Sequence, residues 1–269
     1  MSQPQAPIGV FDSGMGGLTV LAALEAQLPN ASFIYLGDTA RLPYGTKSPA
    51  TIERYAMRAA AALVDRGVCA LVVACNTASA VALGALRARY PELPVFGVVE
   101  PGAQAASGLP GVQRVAVLAT ESTVRGGAYQ RALLAQNSRL AVRARPCPLL
   151  VTLAEEGWLR GEVPQAVLRG YLQDWLSWQP DCLLLGCTHF PVFREALQEL
   201  CDPSVHIVDS ALTTAAAVRA AFGARFDGAI HQPRVLLATD DPVRFSRVGQ
   251  HFIADTSEPL GAVELIELI

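Results

Sequence analysis

One feature restricts the fold of this chain more than any other: two sequence textures exchange along almost its whole length. Short apolar runs rich in β-branched and aromatic residues alternate with longer, Ala/Leu-rich amphipathic stretches. IGVF leads into GGLTVLAALEAQL, SFIYLGD into TIERYAMRAAAALVDRG, and CALVVA into TASAVALGALRARY, with LPVFGVV next. A second series starts at RVAVLAT and continues through PQAVLRGYLQDWLSW, DCLLLG, FREALQEL and VHIVDS. Strands that read as unbroken apolar runs are buried on both faces, and strands separated by helices pair in parallel. The expected fold class is therefore α/β, with parallel sheets covered by helices. With 269 residues, 51% of them hydrophobic and 17% charged, the chain supports one large or two modest cores and is not a disordered polymer.

The two series echo each other. With Cys75 laid over Cys187, LVVACNT matches LLLGCTH: apolar strand, small residue, cysteine, two polar residues, then helical material. IGVFDS matches VAVLAT in the same way. Two α/β units that each deliver a cysteine from a strand end fit this pattern, and so does the ordinary likeness of any two strand-to-helix junctions. The seam falls at VVEPG, Val98 to Gly102, and a second crossing at VDS, Val208 to Ser210, returns the tail to the first unit. The expected division is residues 1–98 plus 209–269 for a lobe carrying Asp12 and Cys75, and residues 99–208 for a lobe carrying Cys187 and His189.

Charge and termini narrow the class of partner. The net charge is −3 with no basic run, which argues against nucleic acid or an anionic membrane. The opening MSQPQAP lacks the charged-then-apolar layout of an export signal, and no apolar run reaches the ~18 residues of a membrane span. A soluble cytoplasmic protein is expected, its six cysteines free thiols in a reducing compartment and, for the most part, small core residues.

Ligands of open parallel sheets bind beyond the carboxyl ends of the strands, and four polar clusters fall there. The first is Asp12-Ser13-Gly14-Met15-Gly16-Gly17. Its glycines admit close approach of a ligand to the backbone, but Thr19 stands where a dinucleotide loop needs glycine, and a P-loop Lys-Ser/Thr is missing. A carboxylate suits this loop better than a nucleotide, the plain alternative being a turn capped by Asp12. The second is DTARLPYG, Asp38 to Gly45, an ordered turn that presents a phenol. The third is Cys75-Asn76-Thr77, placed at or before a helix N-terminus with Asn76, Thr77 or Ser79 as the cap; there the partial positive charge should pull the thiol below its usual value. The fourth is Cys187-Thr188-His189, with Pro191 in the first turn of a following helix and His189 near enough to carry a proton for Cys187.

Two cysteines at matching strand ends have few explanations. A disulfide is disfavoured by compartment. Zinc held by Cys75, Cys187 and His189 is chemically acceptable but lacks structural-zinc spacing. A nucleophilic Cys187 with His189 as base, as in a thiol hydrolase, leaves Cys75 idle. A two-lobed amino-acid-binding protein would leave both cysteines dispensable. Two-base chemistry uses both: one thiolate removes a proton from one face of a carbon and the opposite thiol returns one to the other face, as a racemase or epimerase without a cofactor requires.

The chain also resembles the glutamate racemases of the aspartate/glutamate racemase superfamily. The resemblance runs in order through IGVFDSGMGGLTV, YLGDTARLPYGTKS, VVACNTASA, FGVVEPG, VLATESTV, CPLLVTLAEEG, LLGCTHFP and VDSA. It implies two α/β lobes facing each other across a central cleft and cofactor-independent racemisation of glutamate, which supplies D-glutamate for peptidoglycan. Aspartate or hydantoin racemases of the same superfamily are the nearest alternatives. It implies Cys75 as the base for the D-enantiomer, supported by Asp12, and Cys187 as the base for the L-enantiomer, supported by His189, with Glu155 a further catalytic carboxylate. It assigns substrate contacts to Asp12, Ser13, Tyr44, Gly45, Asn76, Thr77, Thr120, Thr123, Thr188 and His189. No metal or other cofactor is expected, and a homodimer is. Gly126, Gly127 and Thr152 depart from the usual family residues, away from the cysteine loops. The α-proton of an amino acid is weakly acidic, and Lys47, the only lysine, lies in a loop and suggests no Schiff base. N–H groups and hydroxyls in a closed site must therefore carry the developing charge.

Overall fold

The computed structural model describes residues 5–227, 233–253 and 260–268. The expected tail of the first lobe thus includes 228–232, 254–259 and 269, which lie outside the described residues, as do the first four residues of MSQPQAP. Ten strands are described: β1 (Ile8–Asp12), β2 (Phe33–Gly37), β3 (Ala70–Val73), β4 (Val95–Gly97), β5 (Arg114–Ala119), β6 (Ala141–Pro146), β7 (Cys182–Gly186), β8 (His206–Asp209), β9 (Val235–Ala238) and β10 (Val263–Leu265). They form two sheets, one of order β10-β9-β2-β1-β3-β4 and one of order β6-β5-β7-β8. Every strand pairing in both is parallel. The fold class is α/β, as the apolar runs require.

Side-chain alternation explains why these runs carry no polar face. On β1, Ile8 and Val10 enter one apolar cluster and Phe11 another; on β7, Leu183 and Leu185 enter the first while Cys182 and Leu184 enter a third. Both faces of both central strands are thus buried, and β1, β2 and β7 are buried throughout. The first cluster is shared: it gathers Val10, Tyr35 and Val72 of one sheet with Leu118, Leu183 and Leu185 of the other. Each fully buried Leu or Val adds about 1.5–3 kcal/mol, so this shared layer holds the sheets in a fixed relation.

Two helices carry the chain between sheets. Val99–Ser107 leads from β4 to β5, at the VVEPG seam. Ser210–Phe222 leads from β8 toward β9 and packs on the helix Leu18–Gln27. Its start is fixed by Asp209, whose Oδ1 accepts the Leu212 N–H at 2.9 Å. Gly127 has φ 63° between the helices Glu121–Gly126 and Ala128–Gln136, a left-handed position that accounts for glycine there. Thr152 lies inside the helix Pro148–Glu155.

Candidate active site

The strands aim their polar loops at one another. Asp12 ends β1; Cys75 follows β3, the neighbour of β1 in the first sheet; Cys187 follows β7, at the interior of the second. Asp12 is fully buried. Its Oδ2 accepts the Gly14 N–H at 2.9 Å and its Oδ1 accepts the Thr188 hydroxyl at 3.3 Å. Thr19 Oγ1 donates to the Thr188 carbonyl at 3.0 Å. The glycines after Asp12 permit this approach: a Cβ on Gly16 would sit 2.6 Å from Thr188 Oγ1 and collide with the His189 ring, and one on Gly17 would strike Asp12 and Tyr35. DSGMGG is therefore the surface on which the CTH loop rests.

Cys75 is itself the cap of the helix Asn76–Arg89, its Sγ accepting the Ala78 N–H at 3.5 Å, rather than Asn76, Thr77 or Ser79. The Ser13 hydroxyl lies 3.6 Å from the same sulfur. The expected fall in the thiol pKa does not occur. Burial pushes Cys75 up to about 12, with the Asp12 carboxylate adding to the rise, and the Ala78 and Ser13 contacts do not offset it. The helix terminus loses because Cys75 is almost entirely removed from water beside an acid. In the resting site Cys75 is a thiol.

The Cys187 side is different in charge. β7 is followed by a 3-10 turn, Phe190–Phe193, before the short helix Arg194–Leu200, in place of one continuous helix; Pro191 stands in the first turn, as expected. His189 Nδ1 lies 3.8 Å from Cys187 Sγ and Nε2 lies 3.4 Å from Glu155 Oε1. The Phe252 ring stands edge-on to the imidazole at 5.0 Å. Burial opposes the imidazolium, but Cys187, Glu155 and Asp12 outweigh it and raise His189 to about 10. His189 is thus charged at neutral pH. Burial also opposes ionisation of Glu155, yet His189 and Arg244 hold its carboxyl below the ordinary value. Asp12 is shifted the other way by its burial, against the pull of His189 and its hydrogen-bond donors.

The remaining expected residues divide into groups. Thr77, Thr120 and Thr123 form a hydroxyl triangle with separations of 2.9, 3.0 and 3.3 Å, and Gly45 packs on Thr120. Asn76 is engaged on both atoms: Tyr129 donates to its Oδ1 at 2.6 Å and its Nδ2 donates to Ser210 at 3.2 Å. The Tyr44 hydroxyl donates to Asp38 at 2.6 Å, so its proton is committed within the loop. Asp38, Tyr129, Ser210, Arg244 and Phe252 were not among the residues read from sequence. Asp38 and Ser210 lay inside segments that had been singled out, DTARLPYG and VDS; Tyr129, Arg244 and Phe252 carry no local signal, because their partners are distant in the chain. Among the described residues, no three His, Cys, Asp or Glu side chains are placed to hold a metal ion, and no helix is long and apolar enough to cross a membrane.

Two parallel α/β sheets that present buried acid–base groups to each other from their strand ends define a two-sheet enzyme of the proton-transfer type. The chain belongs to the Asp/Glu/Hydantoin racemase family, whose profile matches residues 9–221, and it is a racemase. It is 44% identical over 256 residues to a glutamate racemase of Geobacter metallireducens, covering 93% of each chain. Its fold matches the crystal structure of glutamate racemase from Francisella tularensis in complex with D-glutamate, with a TM-score of 0.88, 34% identity and 98% of each chain covered. It also matches glutamate racemase from Thermus thermophilus in complex with β-chloro-D-alanine, with a TM-score of 0.86, 42% identity, and 99% of this chain and 98% of that one covered.

Proposed function

We propose that this enzyme interconverts L- and D-glutamate without a cofactor, using Cys75 and Cys187 as opposed bases. The observation that carries the reading is that the DSGMGG loop touches both cysteine loops: Ser13 Oγ lies 3.6 Å from Cys75 Sγ, and Asp12 accepts the Thr188 hydroxyl beside Cys187 at 3.3 Å. Glutamate is favoured over aspartate because the relatives of 42–44% identity are glutamate racemases.

For L-glutamate, the Cα–H bond breaks as its proton moves to Cys187 Sγ, and the electron pair passes into the α-carboxylate. The Cys75 S–H bond then breaks as its proton goes to the opposite face of Cα. The product is D-glutamate, with Cys187 a thiol and Cys75 a thiolate; the reverse reaction or proton exchange restores the starting state. The protonation found at rest suits this direction: Cys75 holds the proton to be delivered, and the charged His189 supplies a positive partner for a sulfur anion at Cys187. Asp12 supports the Cys75 side. Ser13, Gly45, Asn76, Thr77, Thr120, Thr123 and Thr188 supply N–H and hydroxyl donors for the substrate carboxylates and hydroxyl oxygens that accept from its ammonium, and Tyr44 holds the loop that bears Gly45.

The same reading places the reaction in the cytoplasm, with D-glutamate passing to peptidoglycan synthesis, in a homodimer whose lobes are residues 1–98 plus 209–269 and residues 99–208. The test is chiral chromatography of each glutamate enantiomer incubated with enzyme alone in deuterium oxide, with aspartate in parallel. Expected are racemisation of glutamate with one solvent deuterium entering Cα, and its loss in both Cys75→Ser and Cys187→Ser. Full activity in either variant overturns the two-base reading; preferential turnover of aspartate overturns the substrate.

A further inference from the structure

The Glu155 carboxylate faces two ways. Oε1 lies 3.4 Å from His189 Nε2, and Oε2 accepts from Arg244 Nη2 at 3.0 Å. Glu155 and His189 follow β6 and β7 of the second sheet, whereas Arg244 stands on the helix Pro242–Gly249, which follows β9 of the first. We propose that Arg244 is a positioning residue for proton transfer at Cys187: it anchors Glu155, and Glu155 in turn aims the His189 ring at the Cys187 sulfur. The proposal rests on the two-thiol reading above and adds to it the part of the first sheet's side that serves the second thiol.

Arg244 is built from a fixed base. Asp241 caps its helix, with Oδ1 accepting the Arg244 N–H at 2.9 Å, and Phe245, the next residue, is fully buried against Tyr35. The same segment grips the end of the helix that carries Glu155. His251 Nδ1 lies 3.3 Å from the Ala154 carbonyl, and Gly157, at φ 73°, passes so close to the His251 ring that a side chain there would overlap it. The Glu155 carboxylate and the backbone on either side of it, at Ala154 and Gly157, are thus held by one short stretch of chain, residues 241–252.

The chemistry gives that grip a purpose. An imidazolium between a sulfur anion and a carboxylate supports proton transfer at that sulfur only when its ring is held in place, and here the carboxylate that holds it is itself anchored on its other oxygen. Without Arg244, Glu155 keeps one weak contact at 3.4 Å and is free to turn from His189. It also loses one of the two cations that hold it ionised against burial. Both changes act first on Cys187; Cys75 has Asp12 and Ser13 for neighbours, is reached from His189 only through the charge of Asp12, and is next to neither Glu155 nor Arg244.

That asymmetry sets the test. Arg244→Ala, Arg244→Gln and Arg244→Lys are assayed in both directions with ordinary and α-deuterated glutamate. We expect kcat to fall on the order of tenfold in the Ala and Gln variants, below the ~10²–10⁴ contributed by an acid–base group itself. KM should stay within about twofold, since the loss falls on the transition state. Both directions lose kcat/KM equally, because enantiomers have equal free energy. The isotope effect on kcat/KM rises for the enantiomer deprotonated at Cys187 and falls for the other, since the Cys187 step has become the slower one. Lysine restores part of the rate. Unchanged kcat, a rise in KM alone, or a fall in kcat with both isotope effects unmoved would overturn the role. Arg244 is partly exposed, and the Gln and Lys variants decide the matter if Ala unfolds. Failure of the two-thiol reading shows itself elsewhere, as activity in Cys75→Ser or Cys187→Ser.

Discussion

The Thr188 hydroxyl donates to the Asp12 carboxylate at 3.3 Å, joining residues 176 positions apart and the end of β1 to the loop after β7. Asp12 is fully buried, so each donor it has matters: loss of one leaves part of an acid without compensation. Thr188→Val keeps the shape and removes the bond. Urea unfolding should show a loss of about 1–2 kcal/mol. Turnover should fall with it, because the same hydroxyl sets the distance between the DSGMGG and CTH loops. Unchanged stability with unchanged kcat would mean that the loops are held by packing alone.

Gly16→Ala tests that approach by bulk. Its Cβ would sit 2.6 Å from Thr188 Oγ1 and overlap His189, so the CTH loop must retreat. Activity should drop at least about tenfold, as misplacement of reacting groups by an ångström costs more than that. Gly84→Ala is the matching control: the glycine lies inside the helix Asn76–Arg89 with nothing within 4 Å of the added carbon. It should raise stability by about 0.4–1 kcal/mol and leave the rate as it was. Calorimetry and a turnover assay on the pair separate steric displacement from any general effect of glycine removal.

His189 makes stability depend on pH in a stated direction. Its pKa is about 10 in the fold against 6.5 in the unfolded chain. Below 6.5 both states hold the proton and the contribution is full. Between 6.5 and about 10 the unfolded chain has released it while the folded one has not, so stability declines as pH rises. Over that window the wild type should lose on the order of a few kcal/mol more than His189→Gln. The comparison is made by denaturant unfolding between pH 6.5 and 9, since the buried thiols of Cys75, Cys147 and Cys182, all pushed up to about 12, weaken both proteins alike above that range. Equal slopes for the two proteins would refute a charged His189.

Asp38 gathers three donors: Tyr44 at 2.6 Å, Arg41 at 2.8 Å and Thr239 at 2.8 Å. It thereby ties the loop bearing Gly45 to β9. Tyr44→Phe should cost about 1.5–3 kcal/mol, the range for a bond to a charged acceptor, with little change in KM. Asp38→Asn should cost more, on the order of 3 kcal/mol, because Arg41 loses a buried partner. A rise in KM for Tyr44→Phe at unchanged stability would instead assign the phenol to substrate.

The site was unevenly legible. The apolar runs announced β1, β2, β3, β5 and β7, because burial on both faces leaves no polar alternation to confuse the reading. β6 was not read: its AVRARP is an edge strand with mixed exposure, and its apolar run is broken by Arg143 and Arg145, which stack on Trp178 and Trp175. β9 and β10, whose VLLA and VEL are short, were not read either. Cys75 and Cys187 were found through the echo of LVVACNT in LLLGCTH, a signal written in adjacent residues. Arg244 had no such signal, since its partner Glu155 is 89 positions away. At Cys75 the pull of the helix N-terminus is outweighed by the depth of burial and by the acid beside it, neither of which is written in the neighbouring residues.

Sequence by itself determined the α/β class, the strand ends from which both cysteines emerge, and the glycines that let those ends approach. These follow from periodicity, local sterics and hydrogen bonding, which act over a few residues. Only the tertiary structure decided the charges: Cys75 a thiol, His189 an imidazolium, Glu155 ionised between His189 and Arg244. Protonation is set by desolvation and by charges a few ångströms away, and both are properties of how the two sheets close on each other rather than of any one stretch of chain.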